Sequence, residues 1–165
     1  QYSYIKSMLY RNTYYRRLFC QSPAVYHRAT HSGDKLMPQF PMTDSRRKAL
    51  ERFPDYAVTI SPYEGTVTIK AGDTVIATTK EALLIQETRH DDVYYLPRED
   101  VDLSSLTPTD QSTYCPFKGH ASYWSYTDNS NLENFMWSYA KPYEQVERLA
   151  GYISFYTNKV VQIID

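Results

Sequence analysis

After residue 54 the apolar and polar residues alternate over short segments, and this pattern predicts strands rather than helices. Ten segments rich in β-branched and aromatic residues follow one another, separated by turns that contain Gly, Pro, Asp or Asn. They cover residues 58–60, 67–69, 74–79, 82–88, 93–96, 113–117, 120–126, 135–139, 152–156 and 160–164. Short strands at roughly even spacing predict a mainly β domain built from antiparallel sheets.

A helical pattern is visible only just before these strands. Thr43 or Asp44 can cap a short helix that runs through residues 46–52, and Pro54 ends it. Residues 100–106 predict a turn or a single helical turn between two strands.

The charge of the chain divides it into two parts. The formal net charge of all 165 residues is −1. Residues 1–40 hold six basic residues and a single acidic one, Asp34, and so carry +5, whereas the rest holds 12 basic and 18 acidic residues and carries −6. We therefore predict a basic arm at residues 1–41 and an acidic domain at residues 42–165. An acidic domain is a poor ligand for nucleic acid, so RNA contact is left to the arm.

The arm has an unusual composition. It has no acidic residue before Asp34 and intersperses Arg, Ser and Thr with apolar residues, which is typical of mitochondrial targeting sequences. We expect a mitochondrial protein, in the matrix or associated with the inner membrane, with indirect membrane contact at most. Tyr and Arg are common in protein interfaces, and the residues expected to bind a partner are Tyr4, Tyr10, Arg11, Tyr14, Tyr15, Arg16 and Arg17.

Three interpretations of the arm remain open: packing on its own domain, docking on another protein subunit, or contact with RNA or a membrane surface. The two cysteines, Cys20 and Cys115, are too few for a disulfide framework or a four-cysteine zinc site, although one bridge between them is conceivable. His27 and His31 have the i, i+4 spacing of metal ligands but no third ligand. We predict no metal and no cofactor.

Four motifs in a fixed order resemble a known family. They are Tyr94 to Val101 (YYLPREDV), Cys115 to Tyr123 (CPFKGHASY), Trp137 to Pro142 (WSYAKP) and Gly151 to Tyr156 (GYISFY). Together with the preceding Ile85-Gln86-Glu87 they resemble the domain-of-unknown-function family 427, over about residues 56–164. The arm lies outside the resemblance.

The resemblance implies a β-tent fold, in which two small antiparallel sheets lean together over a pocket. Several relatives of that fold hold zinc through paired C-x-x-C motifs, but Lys118 stands at the second cysteine position here, so zinc is not expected. The family also carries a nucleotidyltransferase label. Asp100 and Asp102 have the D-x-D spacing for that chemistry, but no Gly-Ser pair precedes them and they lie in a Pro-containing turn. We expect them to cap the turn and predict no catalytic residue.

The charged and aromatic motif residues form the candidate pocket. Its predicted lining is Glu87, Tyr95, Arg98, Asp100, Cys115, Lys118, Trp137 and Tyr139. The alternative is an internal ion-pair network with aromatic core packing. Cys115 is either a small buried apolar residue, a ligand-lining residue, or a nucleophile activated by Lys118 with His120 as the base.

Three functions follow from different classes. The first is a non-catalytic accessory subunit of a larger mitochondrial assembly, of the respiratory-chain or ATP-synthase type, that docks through its arm onto other protein subunits. The second is a small-molecule or nucleotide-binding protein, or an enzyme, that uses the candidate pocket. The third is a mitochondrial ribosome-associated subunit whose arm contacts RNA. The first is the function that we expect.

Overall fold

The structure is a computed structural model that describes residues 42–127 and 129–165. The chain divides into two compact units, residues 1–54 and residues 55–165. The predictions for the arm, including its partner-binding residues, the His27–His31 pair and the Cys20–Cys115 bridge, lie outside the described residues.

The predicted short helix is confirmed. Helix α1 (Asp44–Arg52) belongs to the first unit, and the hydroxyl of Thr43 caps it by accepting a hydrogen bond from the Arg46 N–H at 3.2 Å. The helix ends at Phe53, whose N–H donates to the Ala49 carbonyl, just before Pro54. In the described part of the chain, no helix has the length and apolar composition needed to cross a membrane.

The described residues of the second unit contain ten strands, in the order that the sequence predicts. They are β1 (Val58–Pro62), β2 (Val67–Ala71), β3 (Thr74–Thr79), β4 (Leu83–Glu87), β5 (Val93–Pro97), β6 (Leu106–Cys115), β7 (Gly119–Tyr126), β8 (Met136–Ser138), β9 (Tyr152–Phe155) and β10 (Val161–Ile164). All of their pairings are antiparallel, so the predicted mainly β fold with small antiparallel sheets is confirmed.

These strands form two sheets. Seven strands pair in the order β1-β4-β5-β9-β8-β7-β6, and the other three pair in the order β10-β2-β3. Apolar side chains of the small sheet, such as Ile69 and Ile76, share one core with Leu96, Met136 and Ile153 on one face of the large sheet. That core therefore holds the two sheets together.

The opposite face of the large sheet carries a second core. Leu83 and Ile85 on β4 share this core with Ala121 and Tyr123 on β7, although four strand-to-strand steps separate β4 from β7 in the sheet. The sheet must therefore curve until its two ends face each other. Two neighbours on one strand illustrate the division, because Tyr95 belongs to this second core and Leu96 to the first.

The structure differs from the sequence-based prediction in the connections. Strand β6 begins at Leu106, whereas the prediction began it at residue 113, because Pro108 and the polar residues after it mask the pattern. The pairing of β6 with β7 shifts register between Pro108 and Ser112. The predicted turn at residues 100–106 is present, since the Leu106 N–H donates to the Leu103 carbonyl, but a 3-10 turn over Arg98–Asp100 precedes it. Two further 3-10 turns, Ser130–Leu132 and Glu144–Leu149, were not predicted.

Candidate functional site

The centre of the second core is an ion pair between Lys118 and Glu87. The Lys118 ammonium donates to Glu87 Oε1, and the two side chains are only 12% and 5% exposed. Glu87 is the last residue of β4 and shares the face of Leu83 and Ile85, while Lys118 lies in the turn between β6 and β7. The curvature of the large sheet is what brings these residues together from distant strands.

The β6–β7 turn positions Lys118. Its N–H donates to the Cys115 carbonyl, and Cys115 pairs with Gly119 where the two strands begin to diverge. Gly119 has φ +111, a conformation that side chains with a Cβ rarely adopt. A Cβ there would also lie 3.2 Å from the Lys141 carbonyl oxygen, so the C-P-F-K-G sequence forms a turn that only glycine completes without strain.

Two aromatic residues outside the strands, Tyr56 and Phe117, also contact the ion pair or cover it. The Tyr56 hydroxyl donates to Glu87 Oε2 at 2.6 Å. The Tyr56 ring stacks on Phe117 with the ring centroids 3.8 Å apart and the planes within 11°. Both oxygens of the Glu87 carboxylate are thereby hydrogen bonded, and aromatic rings cover one side of the pair.

The aromatic motif residues surround the other side. The Lys118 ammonium lies 5.6 Å from the centroid of the Tyr139 ring. Trp137 Nε1 donates to the Tyr95 hydroxyl at 3.0 Å, and the two rings meet edge to face. Tyr156 packs on Trp137 with the centroids 4.6 Å apart. Aromatic residues of β5, β8 and the segments that follow β8 and β9 therefore form a wall around a charged centre.

The ion pair keeps both of its members charged. Burial acts to raise the pKa of Glu87, but the charge and hydrogen bond of Lys118 and the hydrogen bond from Tyr56 outweigh it, so this pKa is below its ordinary value. Burial likewise acts to lower the pKa of Lys118, but the charge of Glu87 and its hydrogen bond oppose this effect, and the pKa of Lys118 is above its ordinary value. Lys118 is therefore an ammonium at neutral pH and not an amine nucleophile.

The neighbouring acidic groups stay protonated. Burial raises the pKa of the Cys115 thiol and raises the pKa of Tyr95 to about 12. His120 pairs with Tyr114 on the face opposite the second core, and its ring packs on the Tyr114 ring with centroids 5.0 Å apart. The structure therefore does not place His120 beside Cys115 as a base, although it does place Lys118 there.

Six of the eight predicted pocket residues come together: Glu87, Tyr95, Cys115, Lys118, Trp137 and Tyr139. The other two, Arg98 and Asp100, lie elsewhere because the 3-10 turn after β5 carries them away from the second core. The exposed Arg98 guanidinium lies 5.5 Å from the centroid of the Trp124 ring. The Arg98 and Trp124 side chains line a separate groove of about 530 Å³ that also contains Ser122 and Ser138.

Of the two aspartates in the D-x-D pair, Asp102 caps the turn as we expected. Asp102 Oδ1 accepts a hydrogen bond from the Ser104 N–H at 2.9 Å, and hydrogen bonds from the Ser104 side chain and from this N–H lower the pKa of the carboxyl. Asp102 is exposed and its backbone N–H donates to the Ile76 carbonyl, which ties the turn to β3.

Two site residues were missed from the sequence. Phe117 lies within the second motif and Tyr56 lies outside all four, but nothing in the sequence links them, because they are 61 positions apart and meet only through the fold. Across the described ranges, no group of three or more His, Cys, Asp or Glu residues is arranged to hold a metal ion.

Comparison with known proteins identifies the family of the strand-containing unit. A family model described as "Domain of unknown function (DUF427)" matches residues 59–165. A search of curated proteins found no match. The matched segment is well over half of the 165 residues and includes all ten strands except the first residue of β1. The chain therefore belongs to this family of domains of unknown function.

Proposed function

We propose that this chain is a non-catalytic accessory subunit of a larger mitochondrial assembly, of the respiratory-chain or ATP-synthase type. In this proposal, residues 1–41 dock on other protein subunits, and the DUF427 domain is a stable body that carries this arm.

The proposal rests on the hydrogen bonding and charge of the groups in the candidate site. Its charged and polar groups are committed to one another: Glu87 is bonded by both Lys118 and Tyr56, and Tyr95 accepts from Trp137. The amine is charged and the thiol is neutral, so neither is in the form that attacks an electrophile. Such a centre supports the fold rather than a reaction.

The composition supplies the second support. Residues 1–40 carry a formal charge of +5 and the remaining residues carry −6. This difference supports a division into a docking segment and the domain to which it is attached. Six of the 17 tyrosines lie in those 40 residues beside four arginines, and both residue types are enriched where proteins bury surface against partners.

Native size analysis of a mitochondrial extract tests this proposal. We expect the chain to elute with a complex far larger than one or two copies of itself. Elution at the mass of one or two copies, or absence from mitochondria, would contradict it.

Two arm variants show which chemistry is responsible. Replacing Tyr4, Tyr10, Tyr14 and Tyr15 by Ser should release the chain from a protein partner at any salt concentration. Replacing Arg11, Arg16 and Arg17 by Gln should act mainly at low salt if the partner is a protein. Release of the unchanged chain by salt alone, with sensitivity to ribonuclease, would instead indicate the RNA-contacting function. Import is verified first for each variant by fractionation.

A second candidate function is the binding of a small anion or nucleotide-like ligand. The observation that favours it is the buried Glu87–Lys118 pair among aromatic rings, since groups with strongly shifted pKa values gather at functional sites. A thermal-shift screen against nucleotides and metabolites tests it. Stabilisation that Lys118→Met abolishes while Arg98→Ala preserves it would place the ligand at the ion pair, and the reverse would place it in the Arg98 groove.

A further inference from the structure

The groove beside Arg98 lies on the face of the large sheet that carries the first core, opposite the Glu87–Lys118 pair. Ser122 on β7, Ser138 on β8 and Ile153 on β9 stand opposite one another in neighbouring strands and form its floor. Among the described residues that line it, none belongs to the small sheet. Its volume of about 530 Å³ is within the range of about 300–1,000 Å³ that is usual for small-molecule sites.

Arg98 places a positive charge over this floor without a counterion. Its guanidinium lies 5.5 Å from the centroid of the Trp124 ring, and within the described residues it makes no ion pair and no hydrogen bond. Arg98 follows β5, and three strand-to-strand steps of about 4.8 Å separate β5 from β7. The Arg98 and Trp124 side chains therefore reach toward each other over β9 and β8. The Arg98 backbone N–H donates to the Gly151 carbonyl at 2.9 Å, which fixes where the side chain begins.

The Ser138 hydroxyl is an unused hydrogen-bonding group on the floor of the groove. Ser138 is only 8% exposed, yet its hydroxyl has no hydrogen-bond partner in residues 42–127 and 129–165. Every fully buried polar side-chain atom of those residues is hydrogen bonded, so this oxygen must reach the open space of the groove. Ser154 differs, because its buried hydroxyl donates to the Tyr94 carbonyl at 2.9 Å. A nearly buried hydroxyl without a partner indicates a polar group that arrives from outside.

The charge of the groove selects the class of ligand. A guanidinium offers parallel N–H groups that match the two oxygens of a carboxylate. One positive charge balances one carboxylate, whereas a phosphate monoester carries about −1.5 to −2 at neutral pH and needs further donors. Among the described lining residues, no Lys, His or second Arg supplies them. The half-buried Trp124 ring offers an apolar surface for the rest of the ligand.

We propose that this groove binds a small organic molecule with one carboxylate and an apolar or aromatic body. The carboxylate accepts hydrogen bonds from the Arg98 guanidinium and the Ser138 hydroxyl, and the body packs against Trp124. The exposed Ser122 stands opposite Ser138 and donates to the same carboxylate. This site is separate from the Glu87–Lys118 pair, and the proposal does not depend on the docking function.

Ligand-observed NMR titration of the full chain tests the proposal with phenylacetate and the larger indole-3-acetate as probes. Two matched probes change one property of phenylacetate each. Phenylacetamide has the same shape without the charge, and phenyl phosphate has the ring with about two negative charges. We expect both carboxylates to bind in the millimolar range or more tightly, phenyl phosphate to bind no more tightly than phenylacetate, and phenylacetamide not to bind measurably.

Variants of the groove identify the groups that bind. Arg98→Gln should weaken phenylacetate binding about tenfold or more, because charge-assisted hydrogen bonds are lost. Ser138→Ala removes one hydroxyl and should weaken binding about fivefold. The matched control Lys80→Gln removes an exposed positive charge that does not line this groove, so it should leave the affinity unchanged. Circular dichroism verifies the fold of each variant first.

Fluorescence locates the ligand independently of affinity, because the chain has two tryptophans and one of them lines the groove. In Trp137→Phe the remaining Trp124 should change its emission when phenylacetate is added. In Trp124→Phe the remaining Trp137 belongs to the second core on the opposite face and should not respond.

Several results would overturn the proposal. They are absence of saturable binding by both carboxylates at millimolar concentration, equal affinity for phenylacetamide, tighter binding of phenyl phosphate, and an affinity that Arg98→Gln leaves unchanged. A response of Trp137 without a response of Trp124 would overturn it as well. Binding that is lost in Lys118→Met but kept in Arg98→Gln would assign the ligand to the ion pair instead.

Discussion

At the scale of single residues, the Glu87–Lys118 pair is the most consequential contact in the domain. Both side chains are almost fully removed from water, and the cost of that transfer is offset by their mutual attraction and by the Tyr56 hydroxyl. Such a pair adds little net stability, but removing one partner is strongly destabilising, because the other is left charged and buried.

Removing both charges should destabilise the domain much less than the two single removals added together. We expect Lys118→Met or Glu87→Gln alone to lower the free energy of unfolding by about 3–5 kcal/mol. The double variant should lose much less than the sum of the two, because Gln can still accept from Tyr56 and no charge remains unpaired. Urea unfolding of the four proteins measures the coupling. Losses that simply add would show that the two side chains do not act as a pair.

The pair should also make stability depend on pH. The pKa of Glu87 is lower in the folded domain than in the unfolded chain, so its contribution is fully present above the unfolded value of about 4.3. That contribution is lost as the pH falls through the folded value. Urea unfolding between about pH 7 and pH 3 should therefore show a steeper loss for the unchanged chain than for Glu87→Gln. Parallel curves for the two proteins would contradict this.

At the scale of elements, the β6–β7 turn decides where the site forms. The turn carries Phe117 and Lys118 over the face of the large sheet, and it closes at Gly119 in a conformation of positive φ. The Tyr143 N–H donates to the Lys118 carbonyl at 3.1 Å, so the chain that precedes the Glu144–Leu149 turn holds the hairpin in place. The position of the ammonium thus depends on one glycine and on the segment packed against it.

A substitution at Gly119 should therefore cost more than one at a glycine that also has positive φ but has open space around it. Gly119→Ala combines an unfavourable φ with a contact of 3.2 Å to the Lys141 carbonyl oxygen, and we expect a loss of about 1–3 kcal/mol. Gly72 has φ +61, and no atom lies within 4 Å of the position that a Cβ would take, so Gly72→Ala should cost about 1 kcal/mol. Thermal or urea unfolding compares the two. A larger loss at Gly72 would contradict this interpretation of the turn.

At the scale of the molecule, one curved sheet serves two cores. Its strands contribute alternate side chains to the core shared with the small sheet and to the core that contains the ion pair. Neither core can therefore be lost without disturbing the strands that build the other. The two tryptophans report on them separately, because Trp124 packs against the first core and Trp137 against the second.

Single-tryptophan variants should show one cooperative transition for residues 55–165. Trp124→Phe leaves Trp137 as the reporter of the second core, and Trp137→Phe leaves Trp124 as the reporter of the first. In each variant the fluorescence transition in urea should coincide with the loss of strand signal in circular dichroism. A fluorescence midpoint separated from the circular-dichroism midpoint in either variant would show that the cores unfold independently.

The elements of this protein could largely be predicted from its sequence. Alternation in the chain located all ten described strands, and the Thr43–Asp44 cap and Pro54 bounded the helix, because these signals depend on residues close together in the chain. The first half of β6 escaped prediction since Pro108 and its polar neighbours suppress the same signal. Family resemblance added the choice of motif residues, six of which meet at one site.

The tertiary structure decided which of those residues meet. Glu87 and Lys118 are 31 positions apart and come together only because the large sheet curves and the β6–β7 turn folds over its face. The 3-10 turn after β5 moves Arg98 to another groove, while Tyr56, which no motif marks, reaches the carboxylate. Local residue patterns determined the strands and turns, whereas the meeting of distant side chains depended on strand order and curvature, which are set by the packing of the whole domain.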